Sequence, residues 1–176
     1  MLEIVNRDNP VLREKAKEVP VSQIGKPEIQ KIISEMKEAL ATQDDGVAIA
    51  APQIGEPLRI FVVSGKILAQ QSKKVRSTKK DGSDLVFINP KIIKLSRKKD
   101  FMEEGCLSVR WLYGRVKRSE NATVEAYNEK AEKITRGASG LLAQVFQHEV
   151  DHLEGILFID KAKDIVEIPP KKLHDK

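Results

Sequence analysis

The segment 138–155, ASGLLAQVFQHEVDHLEG, restricts the fold more than any other stretch of the chain. Apolar residues recur in it at three- and four-residue spacing, the period of a helix with one buried face. Leu141, Leu142, Val145, Phe146 and Leu153 make that face, and His148, Glu149 and His152 fall on the same side. Ser139 stands at the N-cap position and Gly155 supplies the stop. Positions four apart are neighbours on a helix, so His148 and His152 aim imidazole nitrogens at one point. The plain alternative is two histidines that pack or face water. It leaves Glu149 unexplained, because an unpartnered carboxylate is costly on a core-facing side. The order His-Glu-x-x-His is a metal-binding signature with the glutamate as general base.

A catalytic ion needs a third protein ligand and one open position. Downstream, HLEGILF follows one extended metalloprotease pattern as far as Gly155, but Phe158 stands where a third histidine belongs. Glu167 just precedes Pro169-Pro170, which leaves little room for a ligand-bearing helix, and His174 lies near a charged terminus. Upstream, MEEGCLSV holds the only cysteine, Cys106. A thiolate is a strong ligand for zinc or ferrous iron, and Gly105 lets backbone come close beside it. Alone, Cys106 would read as a small buried hydrophobe; beside two histidines short of a ligand it becomes the expected third. One cysteine also excludes an internal disulfide and fits a reducing compartment.

The rest of the chain sets the frame. At 176 residues it suits one domain, residues 1–176, with a core that needs no staples. The net charge of +5 is mild. Much of it comes from a basic stretch at about residues 64–84, read as a solvated insertion or ragged hairpin with a turn at Asp81-Gly82. The tail, about residues 169–176, is short and basic. No apolar signal core or membrane-length run is present, so a cytoplasmic protein with no membrane association and no specific DNA target is expected.

Asn9 and Pro10 predict a helix over NPVLREKAKEV. Pro27 opens another over PEIQKIISEMKEALATQ, with Ile29, Ile32, Ile33, Met36 and Leu40 on its buried face. DDGVAIAAPQIGEP is a tight, close-packed segment. LRIFVVS is a buried strand, and LVFINPKIIKLS is a pair of strands broken at Asn89-Pro90. GRVKRS, ATVEAYN and EKITRG alternate as strands, with a turn at 128–130. Helices, then strands, then one helix indicate an α+β fold.

Three segments in order, GVAIAAPQ (46–53), EGCLS (104–108) and QHEVDH (147–152), resemble the motifs of peptide deformylases. These enzymes remove the formyl group from the N-terminal formyl-methionine of new bacterial proteins. The similarity runs from NPVLREKAKEV to HLEGILFIDK. It implies a compact α+β domain whose mixed or antiparallel sheets pack around the motif-bearing helix. It implies one divalent ion, natively Fe(II) with Zn, Ni or Co able to replace it, on Cys106, His148 and His152. Glu149 takes the acid–base role, and Gln53 with the backbone N–H of Leu107 holds the formyl oxygen. The substrates are N-formylmethionyl nascent peptides. The ribosome is a candidate partner, although the basic stretches carry no aromatic residues for base stacking.

The resemblance also marks departures. Ala48 stands where the family has its second glycine, beside the substrate; it is tolerated if φ is negative and is expected to alter substrate fit. After EGCLS the family often has an apolar residue and proline, but here Arg110 follows Val109, which predicts a looser loop. Trp111, Leu112 and Tyr113 either flank the cleft or pack. Leu141 and Val145 fit the family's methionine pocket, and Gln144 is more polar than usual there. Val47 adds apolar lining, with Ile49 as its alternative on the opposite face. Glu104 either binds the substrate backbone or pairs with an arginine such as Arg118. Asp151 either supports a ligand or faces solvent. Four other readings compete: a metallopeptidase, a deformylase-like protein with altered substrate preference or no catalysis, a phosphate loop built on GVAIAAPQIG, and an RNA-binding protein. The third lacks the required glycine spacing and Lys-Ser/Thr ending.

Overall fold

The structure is a computed structural model and describes residues 3–67 and 82–170. Most of the basic stretch, including Asp81, and most of the basic tail, including His174, lie outside the described residues.

Two complete helices and eight strands among the described residues make an α+β domain. Helix α1 spans Pro27–Ala41 and α2 spans Gly140–Leu153. The strands are β1 (Ala48–Ala50), β2 (Ile60–Val63), β3 (Leu85–Leu95), β4 (Lys99–Glu104), β5 (Leu112–Ser119), β6 (Asn121–Tyr127), β7 (Lys133–Ser139) and β8 (Lys163–Glu167). They form a five-stranded sheet, β1-β2-β3-β6-β7, and a three-stranded sheet, β4-β5-β8. All strand pairs within these sheets are antiparallel.

The larger sheet lies between the two helices. Ala48, Ala50, Phe61, Val63 and Phe87 pack with Leu142, Val145 and Phe146 of α2. Ile49, Ile60, Val62, Val86 and Ile88 point the other way and pack with Ile33, Met36 and Leu40 of α1. Strands covered on both faces read as continuous apolar runs, which is why IFVV shows no alternation. Phe146 is the pin between α2 and the sheet. Its ring meets Phe87 edge-on at 5.2 Å, and Phe87 stacks on Phe61 at 4.6 Å. Gln147, the next residue, grips the smaller sheet: it accepts from the Ser119 N–H at 3.0 Å and donates to the Ser119 carbonyl at 2.9 Å. The motif helix is thus held from both sides at the residues just before His148.

The helix stops where expected. Gly155 has φ +74°, and a Cβ there would lie 2.6 Å from the Arg13 carbonyl oxygen. Arg59 donates to the Leu153 carbonyl at 3.4 Å and to Glu154 at 2.6 Å, a cation placed at the negative end of the helix.

Several expectations need correction. NPVLREKAKEV makes only a 3-10 turn, Pro10–Arg13, although Asn9 does accept from the Val11 N–H. Beyond it Ala16 bonds the Leu153 carbonyl and Lys17 the Pro57 carbonyl, so tertiary partners take the backbone groups a helix would use. Asn89-Pro90 does not break the strand: β3 continues through it with a register shift, with Asn89 at φ +52° and its side-chain amide bonded in both directions to the Val19 backbone. Ser139 sits at the N-cap of α2 without a capping bond, and Leu141 is exposed rather than on the buried face. Strands β1, β4 and β8 have no counterpart among the expected strands.

Candidate active site

The three motifs meet between the sheets. Motif one crosses from β1 into a 3-10 turn, Ala51–Ile54, which buries Gln53. Motif two follows β4, and motif three lies on α2. Among the described residues, Cys106, His148 and His152 offer ligand atoms that all lie within 4.8 Å of one another. Cys106 Sγ is 3.2 Å from His152 Nε2, and the two rings meet edge-on at 4.9 Å.

This donor set fits a divalent cation. Burial pushes the Cys106 thiol up, but His152 and His148 beside it outweigh that and hold it well below the ordinary thiol range. Burial works against a charged His148, yet the sulfur and Glu104 keep its proton bound well above the usual imidazole range. A pocket that gathers positive charge around a thiolate is one a metal ion enters by displacing protons. His148 Nδ1 is taken by Glu104 Oε2 at 2.9 Å, which leaves Nε2 as the nitrogen that could hold a cation.

Glu149 is buried, and its Oε2 has no hydrogen-bond partner among the described residues. Burial lifts its carboxyl above the ordinary carboxylate range, with the two histidines pulling the other way. Gln53 is held by its oxygen, which accepts from the Ala50 N–H at 2.8 Å. Its nitrogen faces Ser108 Oγ at 3.2 Å and Cys106 Sγ at 3.5 Å. Leu107 borders the same cleft, and its backbone N–H meets no acceptor among the described residues.

Sequence reasoning left Glu104 with two roles, and the structure favours the pairing one. Arg118 donates to it through Nε at 2.7 Å and Nη2 at 3.0 Å, and His148 occupies its second oxygen. Arg118 also donates to Asp151 at 2.6 Å, and Lys161 donates to Asp151 at 2.7 Å. In the sequence Arg118 stands out only as a candidate partner for Glu104. Its alternation on β5 marks it as a strand residue but gives no sign of its burial.

A cleft of 340 Å³ opens onto this centre. Val47, Ala48, Leu141, Gln144 and Val145 all line it, while Ile49 lies in the core against α1. Gln144 donates to the Glu103 carbonyl at 2.8 Å, which ties its amide to β4 at the edge of the cleft. Trp111, Leu112 and Tyr113 flank the cleft. Tyr113 packs against Gly105, where an added Cβ would lie 2.8 Å from its ring. The loop after Val109 is tied, not loose: Arg110 donates to Asp45 at 2.7 Å and to Gln43 at 2.6 Å.

A thiolate and two imidazoles around one point, with a buried carboxylate beside them in an open cleft, define a mononuclear metallohydrolase. The sequence pattern of the polypeptide deformylase family matches residues 1–167, and the chain belongs to that family. It is 42% identical over 168 residues to a peptide deformylase of Halothermothrix orenii, covering 95% of this chain and 97% of that one. It is 40% identical over 163 residues to the chloroplastic/mitochondrial peptide deformylase 1A of Arabidopsis thaliana; this match covers 90% of the chain but spans only 60% of the plant protein. The crystal structure of peptide deformylase from Thermotoga maritima superposes with a TM-score of 0.78 at 32% identity, covering 93% of this chain and 98% of that one. The chain is therefore an enzyme of the deformylase class, and that class is metal-dependent. No helix among the described residues is long and apolar enough to cross a membrane.

Proposed function

We infer that the chain removes the formyl group from the N-terminal formyl-methionine of newly made proteins and releases formate. The observation that carries this reading is the convergence of Cys106, His148 and His152 beside buried Glu149, in a chain of this family. The three ligands hold one divalent ion, Fe(II) in the native state, and the same donors accept Zn, Ni or Co. When bound, the ion supplies a Lewis acid and lowers the pKa of water toward neutrality.

The chain's own residues do the rest. Glu149 receives a proton from the attacking water and passes it to the departing amine. The Gln53 amide and the Leu107 N–H donate to the formyl oxygen as negative charge grows on it. Val47, Ala48, Leu141 and Val145 receive the methionine side chain, with Gln144 at the rim. Glu104, which also lines the cleft, orients His148.

The enzyme works as a single domain in the cytoplasm, with the ribosome as its candidate partner. The primary test is anaerobic purification with metal analysis, followed by formate release from a formyl-methionyl peptide and from an unformylated control. Cleavage of internal peptide bonds in place of formate release would favour a metallopeptidase. An iron form loses activity in air as iron and thiolate oxidise; air-stable activity with zinc alone would overturn the assignment of Fe(II). Ribosome cosedimentation that ignores salt would remove the electrostatic partner.

A further inference from the structure

Trp111 is the only tryptophan in the chain, and it borders the cleft that holds Cys106, His148 and Glu149. Its φ is +69°, in the left-handed region that bulky side chains avoid. The position is nevertheless held. Its carbonyl accepts from the Ile168 N–H at 2.8 Å, and the Arg110 guanidinium lies 5.7 Å from its ring centroid. Arg110 is in turn anchored to Asp45 and Gln43, on the segment between α1 and β1. Asp45 also lines the cleft, so the tie joins two of its walls.

This arrangement holds backbone strain without burying Trp111, which stays 37% exposed. A residue that served only the core would be covered. Strain retained beside a reaction centre, with a large apolar face left open, marks a residue that works on a ligand. The α2 residues beside His148 are assigned to methionine above. The 110–113 loop borders the remainder of the same cleft and is left for the chain that follows.

We propose that Trp111, steadied by Arg110, is a specificity-determining residue: its ring is a platform for the side chain of the second or third residue of the nascent peptide. It favours aromatic and long aliphatic side chains there. The inference rests on the deformylase reading given above.

The test compares formyl-Met-Phe-Ala, formyl-Met-Ala-Phe and formyl-Met-Ala-Ala. The metal-loaded native protein should prefer one Phe peptide over the Ala-Ala peptide by about tenfold in kcat/KM, mostly through KM, on the scale of one aromatic contact. Trp111→Gly suits the positive φ and should erase that ratio with metal content unchanged, whereas Trp111→Phe should keep most of it. The single tryptophan gives a second readout. Titrating the zinc-loaded native protein with the product peptide Met-Phe-Ala or Met-Ala-Phe should shift its emission, and Met-Ala-Ala should not. Formate from all three peptides with the same ratio in Trp111→Gly overturns the role of Trp111 and leaves the deformylase reading standing. No formate from any peptide with the metal-loaded native protein overturns that reading and this inference with it.

Discussion

His148 places its Nδ1 2.9 Å from Oε2 of Glu104, so the ring is oriented by a carboxylate before any cation arrives. Glu104 is held by Arg118, and Arg118 by Asp151, one residue from the second histidine. The network therefore starts and ends on α2 and passes through β4 and β5. Its two central members are buried, the Arg118 and Glu104 side chains being 4% and 2% exposed, while His148 and Asp151 are half-buried. A buried pair of this kind is weak support for stability in itself, but removing one partner strands the other.

Arg118→Ala leaves Glu104 without its main counter-charge and leaves Asp151 paired with Lys161 alone. The expected loss is about 3–5 kcal/mol of stability, with metal affinity reduced roughly 10–100-fold through the loosened His148. Urea unfolding and competition with a metal chelator measure the two. A variant of native stability and native affinity would show the network to be idle.

The same network gives a pH dependence. Burial pushes the Glu104 carboxyl up, but His148 and Arg118 bonded to it outweigh burial and bring it from 4.5 down to about 2. A carboxylate depressed in the folded state contributes stability above its unfolded value, and the contribution is lost as pH falls through the folded value. Acid unfolding of the metal-free protein should therefore show loss between about pH 4.5 and 2 that is absent in Glu104→Gln. Equal slopes for both proteins over that window would contradict the assignment.

Glu149→Ala removes the proton carrier and no metal ligand. Metal content should stay at one ion per chain, and kcat should fall by roughly 10²–10⁴. Metal analysis beside formate release checks both, and a fully active variant would exclude Glu149 from proton transfer.

Gln53→Ala removes a donor aimed at the site and also leaves the buried Ala50 N–H without its acceptor. The rate should drop roughly 10²–10³, with about 1–3 kcal/mol lost in stability. Thermal unfolding separates the second effect from the first, and a normal kcat would remove Gln53 from the oxyanion site.

Gly155→Ala tests the end of the motif helix. The new methyl would meet the Arg13 carbonyl oxygen at 2.6 Å from a backbone at φ +74°, so two penalties coincide. About 2 kcal/mol or more should be lost, on the scale of a strained left-handed residue plus overpacking. A melting temperature equal to the parent's would mean that the Arg13 backbone yields freely.

The motif helix was legible because its information is local. The four-residue spacing of His148 and His152, the apolar stripe and the stop at Gly155 all sit within one segment. The 3-10 turn at Pro10–Arg13 was not, because the choice between helix and turn falls to Leu153 and Pro57, which take the backbone bonds of Ala16 and Lys17 from far along the chain. Leu141 illustrates the same limit: periodicity placed it on the buried stripe, but only the packed sheet decides which edge of that stripe is covered.

The amino-acid order alone determined the α+β class, the helix that carries two imidazoles and a carboxylate, and the scarcity of other ligands that points to Cys106. These depend on helical period and residue chemistry, which act over a few neighbours. The packed chain decided that Glu104 serves His148, that Gln147 clamps α2 to β5, and that Arg110 ties the loop in place of a proline. Those are meetings of groups 28 to 65 residues apart, and no local rule ranks one such meeting over another until sheet register and helix docking fix the distances.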